Sequence, residues 1–277
     1  AIGMSDFLRD MAAHSRERTA SAMQQRDEDA LWSLVESCSA APALLLPHRF
    51  EVIAEIKGTS PAEGALADHA TLDRAGLAQQ YAAAGACAVS VLTEPSRFDG
   101  SLEHLAEVAQ QLAPSSVPAM RKDFITSPYQ LLEARIAGAG GVLLIIAMLD
   151  DATLTDCLQR ASALRLFVLL ECFDEQDIAR SKQLLKHPAA QQLAASGQLL
   201  VGVNTRDLRT LAVDATRLQR LAPLLPDDIP LVAESGLKTP DDVSQAAALG
   251  YRVALVGTAL MRADDPAGLI ARFRAAA

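Results

Sequence analysis

Short apolar or β-branched runs recur along the chain at residues 52–56, 87–92, 117–120, 142–146, 166–170, 199–203, 230–233 and 253–256, and a segment of helical composition follows each. The starts of these runs lie about 23 to 35 residues apart, the length of a strand, a crossover helix and two loops. No hairpin turn signal joins one run to the next, so the pattern is the βα repeat of a parallel sheet. Near-continuous apolar strands require cover on both faces, and eight βα units in roughly 220 residues suit a closed (β/α)8 TIM barrel of the α/β class. An open doubly wound sheet is the competing arrangement. No strand is followed by the G-x-G-x-x-G turn of a dinucleotide fold, which favours the barrel.

The residues ahead of the first run fall outside the repeat. Phe7, Leu8, Met11 and Ala12 recur at helical spacing, predicting an amphipathic helix over 4–25, and Leu31, Trp32, Leu34 and Val35 predict a second over 27–37. Residues 1–48 therefore read as an N-terminal helical extension, with Ala1-Ile2-Gly3 before Met4 as a cloning remnant, and residues 49–277 as the barrel. The extension is not needed to close eight βα units. It is long enough to cap a barrel end or to cover a site.

Half of the 277 residues are hydrophobic and 21% are charged, which supports a packed core and excludes bulk disorder. The net charge of −9 makes the average surface repel nucleic acid and anionic lipid, so an anionic ligand needs a local cationic cluster. No apolar run approaches the length of a membrane span. Cys38, Cys87, Cys157 and Cys172 form no C-x-x-C pair, so neither a zinc site nor a disulfide framework is expected, and a cytoplasmic location is. Of 25 basic residues, five are lysine: Lys57, Lys122, Lys182, Lys186 and Lys238. In an arginine-preferring chain, lysine marks places where a compact ammonium with a tunable pKa is required.

The barrel reading directs attention to the C-terminal strand ends, where such folds carry their chemistry. The first run ends in Glu55-Ile56-Lys57, the third in Arg121-Lys122-Asp123, the fifth in Glu171, the sixth in Asn204-Thr205-Arg206 and the seventh in Glu234-Ser235-Gly236. Strand alternation puts Glu55 and Lys57 on one face, opposite Val52, Ala54 and Ile56. One such pair could simply fill a polar layer of the barrel; convergence of five strand ends points to a site. Ser235-Gly236 and Gly257-Thr258 place small residues in the two loops that usually form a barrel's phosphate cup. His14, His48, His69, His104 and His187 all lie away from strand ends, which argues against histidine acid–base chemistry, and no metal-ligand spacing occurs.

The stretches VIAEIKGTSPAEG (52–64), VSVLTEPSRFDGS (89–101), MRKDFITSPYQ (120–130), LLECFDEQD (169–177), VGVNTRDL (201–208), VAESGL (232–237) and LVGTALM (255–261) together resemble the indole-3-glycerol phosphate synthase family. The resemblance covers nearly the whole chain in the family's order. It implies a lyase of tryptophan biosynthesis that needs no cofactor or metal, closing 1-(2-carboxyphenylamino)-1-deoxyribulose 5-phosphate to an indole with loss of carbon dioxide and water. By matching positions, Lys122 would be the general acid on the ribulose carbonyl, Lys57 would hold the anthranilate carboxylate, and Glu171 would act in dehydration. Glu55, Asn204, Glu234 and Ser235 would orient the lysines and sugar hydroxyls. Ser60, Arg206, Gly236, Gly257 and Thr258 would receive the phosphate, with Phe98 and Phe124 also binding substrate.

The chain departs from the family pattern at two places. Ala62 and Glu63 stand where a serine and a lysine are common, and Gly138-Ala139-Gly140 replaces G-A-D. The first departure bears on phosphate affinity or loop closure. Two other functions fit parts of the pattern: an isomerase acting on phosphoribosylanthranilate, whose family uses a cysteine and an aspartate at strand ends, and a catalytically silent paralogue. The expected partner is a small phosphorylated substrate, bound by a monomer, with no nucleic acid and no membrane.

Overall fold

The computed structural model describes residues 6–277. Eight parallel strands close into a barrel: β1 (Glu51–Ile56), β2 (Ala88–Leu92), β3 (Ala119–Lys122), β4 (Gly141–Ile145), β5 (Phe167–Cys172), β6 (Leu199–Asn204), β7 (Leu231–Glu234) and β8 (Val253–Val256). Each pairs with its sequence neighbours, and β1 closes the ring by pairing with both β8 and β2, so that Ile53 lies opposite Leu255 on one side and Ala88 on the other. Closure removes the open-sheet alternative. All eight strands begin and end within two residues of the apolar runs that predicted them, and β3 continues past Met120 through Lys122. A polar side chain aimed into the mouth does not interrupt the ladder, because pairing uses the backbone; the carbonyl of Lys122 still accepts from Thr93 N at 3.1 Å.

The helices between strands start where a short polar side chain can cap free backbone N–H groups. Asp73, Ser101, Asp150 and Asp174 each accept from an amide in the first turn, and Thr239 with Asp242 forms a reciprocal capping box. These helices cover the outer face of the barrel. The strands are consequently buried along almost their entire length, which explains their unbroken apolar character.

Ahead of the barrel stand α1 (Asp6–Gln25) and α2 (Glu28–Glu36), the latter capped by Asp27 accepting from Ala30 N at 2.9 Å. Met4 and the proposed Ala1-Ile2-Gly3 remnant lie outside the described residues. Leu8, Met11 and Ala12 of α1 are fully buried in the core shared with the barrel strands. Arg18 makes a bidentate ion pair with Asp123 at the end of β3 (3.0 and 2.8 Å), and Gln130 donates to Ser15 at 2.9 Å. Thus α1 is docked against the C-terminal side of the barrel by both apolar packing and a buried charge. Among the described residues no helix is long and apolar enough to cross a membrane.

Candidate active site

The C-terminal barrel mouth opens into a cavity of about 1170 Å³ lined by residues from every part of the predicted constellation. At its base, Glu55 of β1 is fully buried and accepts from Lys122 at 2.8 Å through one oxygen, while Lys57 lies 3.3 Å from the other. Ser90 of β2 also donates to Glu55 at 2.8 Å. Burial alone would raise the Glu55 carboxyl, but the ammonium groups of Lys122 and Lys57 and the hydrogen bonds outweigh it and hold the group ionised below its ordinary range. One carboxylate thereby holds two like-charged lysines side by side in the mouth.

Burial likewise acts to depress Lys122, yet the Glu55 carboxylate first, and Glu171 after it, hold its ammonium above the ordinary lysine range. The sequence argument favoured a lysine tuned toward neutrality. Here carboxylates on two strands, β1 and β5, overcome the desolvation, so Lys122 is kept as a charged proton donor.

Glu171 of β5 and Glu234 of β7 face one another below the lysines, both essentially without solvent contact. Glu171 takes a hydrogen bond from Asn204 Nδ2 at 3.3 Å through Oε1, while its second oxygen and both oxygens of Glu234 have no donor. Burial, then the adjacent Glu171 charge, pushes Glu234 well above the ordinary carboxyl range. A protonated Glu234 supplies the missing donor toward Glu171, and resolves two buried carboxylates that could not both ionise. Asn204 continues the network upward, its Oδ1 accepting from Ser235 Oγ at 2.9 Å and from Arg206 N at 3.0 Å.

The turn carrying Ser235 and Gly236 is left-handed at both residues, with φ of 64° and 77°. Glycine adopts this geometry without penalty, whereas Ser235 is held in it by its bond to Asn204 and by Thr205 Oγ1 donating to the Ser235 carbonyl at 3.1 Å. Gly257 has a different reason to be glycine. A Cβ there would lie 3.0 Å from Lys57 Cε and 3.1 Å from Glu55 Oε1, so its missing side chain makes room for the charged pair. Ser60, Arg206, Gly236, Gly257 and Thr258 all line the same cavity.

An aromatic wall is built by three separate segments. Phe124 follows Asp123, whose buried carboxylate collects Arg18, Arg121 and Thr93 and accepts from Phe124 N at 2.7 Å. Phe98 ends a one-turn helix, Pro95–Phe98, whose first amides are bound by the buried Glu94 carboxylate. Phe7 arrives from α1. The Phe7 and Phe124 rings meet edge-on at 5.9 Å, and Phe98 lies 6.0 Å from Phe124. Of the three, Phe7 escaped the sequence reading as a site residue because its spacing signalled only a helix face. Ser90 escaped because it sits inside an apolar run, although a polar residue in an otherwise buried strand was a usable signal.

A model of indole-3-glycerol phosphate synthase matches residues 8–273. The chain belongs to the indole-3-glycerol phosphate synthase family. Curated members of that name from Parafrankia sp. and Nocardioides sp. are 44% and 48% identical over 95% and 80% of this chain, and 90% and 78% of their own. One from Lacticaseibacillus casei is 40% identical over 80% of the chain and 79% of its own. Among solved structures, 3-hexulose-6-phosphate synthase from Salmonella typhimurium superposes with a TM-score of 0.61 at 16% identity, covering 82% of this chain and 98% of its own. Thiamine phosphate pyrophosphorylase from Pyrococcus furiosus gives 0.58 at 14% identity, over 84% and 97%. At these identities the two structures speak for the barrel alone. Among the described residues, no group of three His, Cys, Asp or Glu side chains could hold a metal ion.

Proposed function

We propose that the barrel mouth closes 1-(2-carboxyphenylamino)-1-deoxyribulose 5-phosphate to indole-3-glycerol phosphate, the carbon–carbon lyase step of tryptophan biosynthesis that gives the family its name. The observation that carries this reading is Glu55 holding Lys57 and Lys122 at 3.3 and 2.8 Å, with Glu171 and Glu234 beneath. Cyclisation generates negative charge on the ribulose oxygen when the anthranilate ring carbon attacks the carbonyl. A charged Lys122 is placed to donate a proton there. Lys57 pairs with the anthranilate carboxylate until carbon dioxide leaves and the ring regains aromaticity. Water then departs from the former carbonyl carbon, with Glu171 moving the proton and neutral Glu234 keeping Glu171 hydrogen-bonded. Phe7, Phe98 and Phe124 form the apolar wall for the anthranilate ring, and Ser60, Arg206 and Thr258 with the Gly236 and Gly257 turns receive the phosphate.

In this reading the protein acts as a monomer on a small phosphorylated substrate, without nucleic acid or membrane, in a cytoplasm suited to its four unpaired cysteines. The test is turnover of the carboxyphenylamino-ribulose phosphate, followed by indole fluorescence and released carbon dioxide. Lys122→Arg retains charge but cannot give up a proton, and should lower kcat by about a hundredfold or more. Absence of product from the wild type, or near-normal kcat in Lys122→Arg, would overturn the assignment. Phosphoribosylanthranilate should be inert with this enzyme.

A further inference from the structure

The phosphate-receiving side of the mouth is held together by a residue that the family pattern does not place there. Glu63, at the tip of the loop after β1, reaches across the mouth. Thr258 Oγ1 donates a short hydrogen bond to Glu63 Oε2, and Arg206 Nη2 lies 3.7 Å from Oε1. The backbone N–H of Glu63 donates to Ser60 Oγ at 3.2 Å. Two of the residues assigned to the phosphate, Thr258 and Arg206, thus converge on a carboxylate belonging to the protein itself, while a third, Ser60, holds its backbone.

We propose that Glu63 is a tethered anion occupying the phosphate seat, which the substrate must displace in order to bind. This rests on the assignment of the cup made above. The argument is one of donor capacity. The Thr258 hydroxyl has one proton to give, and it is given to Glu63. Arg206 is already committed through Nη1 to the Leu211 carbonyl at 3.0 Å, and Glu63 is the anion paired with its other amino group. An arriving phosphate dianion that takes both groups leaves the Glu63 carboxylate undonated and adjacent to like charge, an arrangement that costs far more than outward movement of the side chain. Movement is available: the Glu63 side chain is about one-fifth exposed, neighbouring Ala62 and Gly64 are exposed, and Gly64 is left-handed with open space where a Cβ would stand. The short ladder pairing Thr59 with Ala65 and Ser60 with Gly64 keeps the loop a single unit as it moves.

Glu63 therefore sets the affinity of the phosphate end by charge competition, whereas a lysine at this position would add to it. The test is calorimetric binding of inorganic phosphate at pH 7.5 to the wild type, Glu63→Gln, Glu63→Ala and Arg206→Gln. Removing the competing negative charge should tighten phosphate binding by about tenfold or more in both Glu63 variants. Substrate KM should fall in parallel. Arg206→Gln should weaken phosphate in either background. If Arg206→Gln weakens phosphate while the Glu63 variants bind it no better than wild type, the competitor role is wrong and the cup stands. If Arg206→Gln leaves phosphate affinity unchanged, the cup itself has been misassigned.

Discussion

The shared carboxylate of Glu55 offers the sharpest test of how this mouth holds its proton donor. Replacing it by glutamine keeps the shape but removes the charge 2.8 Å from Lys122 Nζ and 3.3 Å from Lys57 Nζ. At an effective dielectric of about 20, unit charges at that shorter separation attract by about 6 kcal/mol. Part of this is offset by the cost of burying the pair, and Glu171 continues to act on Lys122. A net loss of about 2 kcal/mol remains, equivalent to roughly 1.5 units in the lysine pKa. The sign follows from the direction of the shift. Glu55 raises Lys122, so its removal lets the ammonium lose its proton at lower pH, and the alkaline limb of the kcat/KM profile should move toward acid by about 1 to 2 units. The assay is indole fluorescence across about pH 6 to 11.5 with near-ultraviolet circular dichroism to confirm folding. Glu55→Asp, which keeps a charge between the lysines, serves as the control and should hold the limb within about half a unit. An unmoved limb in a folded Glu55→Gln protein with normal kcat would refute the idea that this carboxylate sustains the donor.

Deleting residues up to 26 removes the fully buried Leu8 and Met11 and the Arg18 partner of Asp123, so urea unfolding should show a loss of several kcal/mol at about 1.5 to 3 kcal/mol per large apolar side chain. Phe7→Ala isolates the binding role of the same helix, and should raise substrate KM several-fold with a much smaller change in the urea midpoint. Gly257→Val should cut turnover more than phosphate affinity, because its side chain meets Lys57 and Glu55; equal losses in calorimetry and kinetics would show that the turn acts through the phosphate alone and not through the charged pair. Burial pushes Asp177 up to about 6. A raised carboxyl stabilises the fold most fully below its unfolded pKa near 4, and loses that contribution as pH rises through about 6. Asp177→Asn should therefore gain on the wild type between pH 5 and pH 7.5, by about 1.4 kcal/mol in urea titrations; a constant difference would contradict the shift.

Periodicity along the chain determined the architecture, because strand and helix patterns are local and eight βα units leave few ways to cover both faces of a sheet. Alternation along β1 placed Glu55 with Lys57, and the scarcity of lysine drew attention to Lys122. What no local pattern contained was the convergence of groups distant in sequence. Arg18 meets Asp123 across 105 positions, and Glu63 meets Thr258 across 195. Phe7 looked like a helix stripe until the docking of α1 set it against Phe124. The protonation of Glu234 and the charged state of Lys122 depend on how many carboxyl groups share one buried space, a count that only barrel closure decides. The motifs named the groups that do the chemistry; their charge depends on burial and on the distances between them, which exist only once the ring of strands has closed.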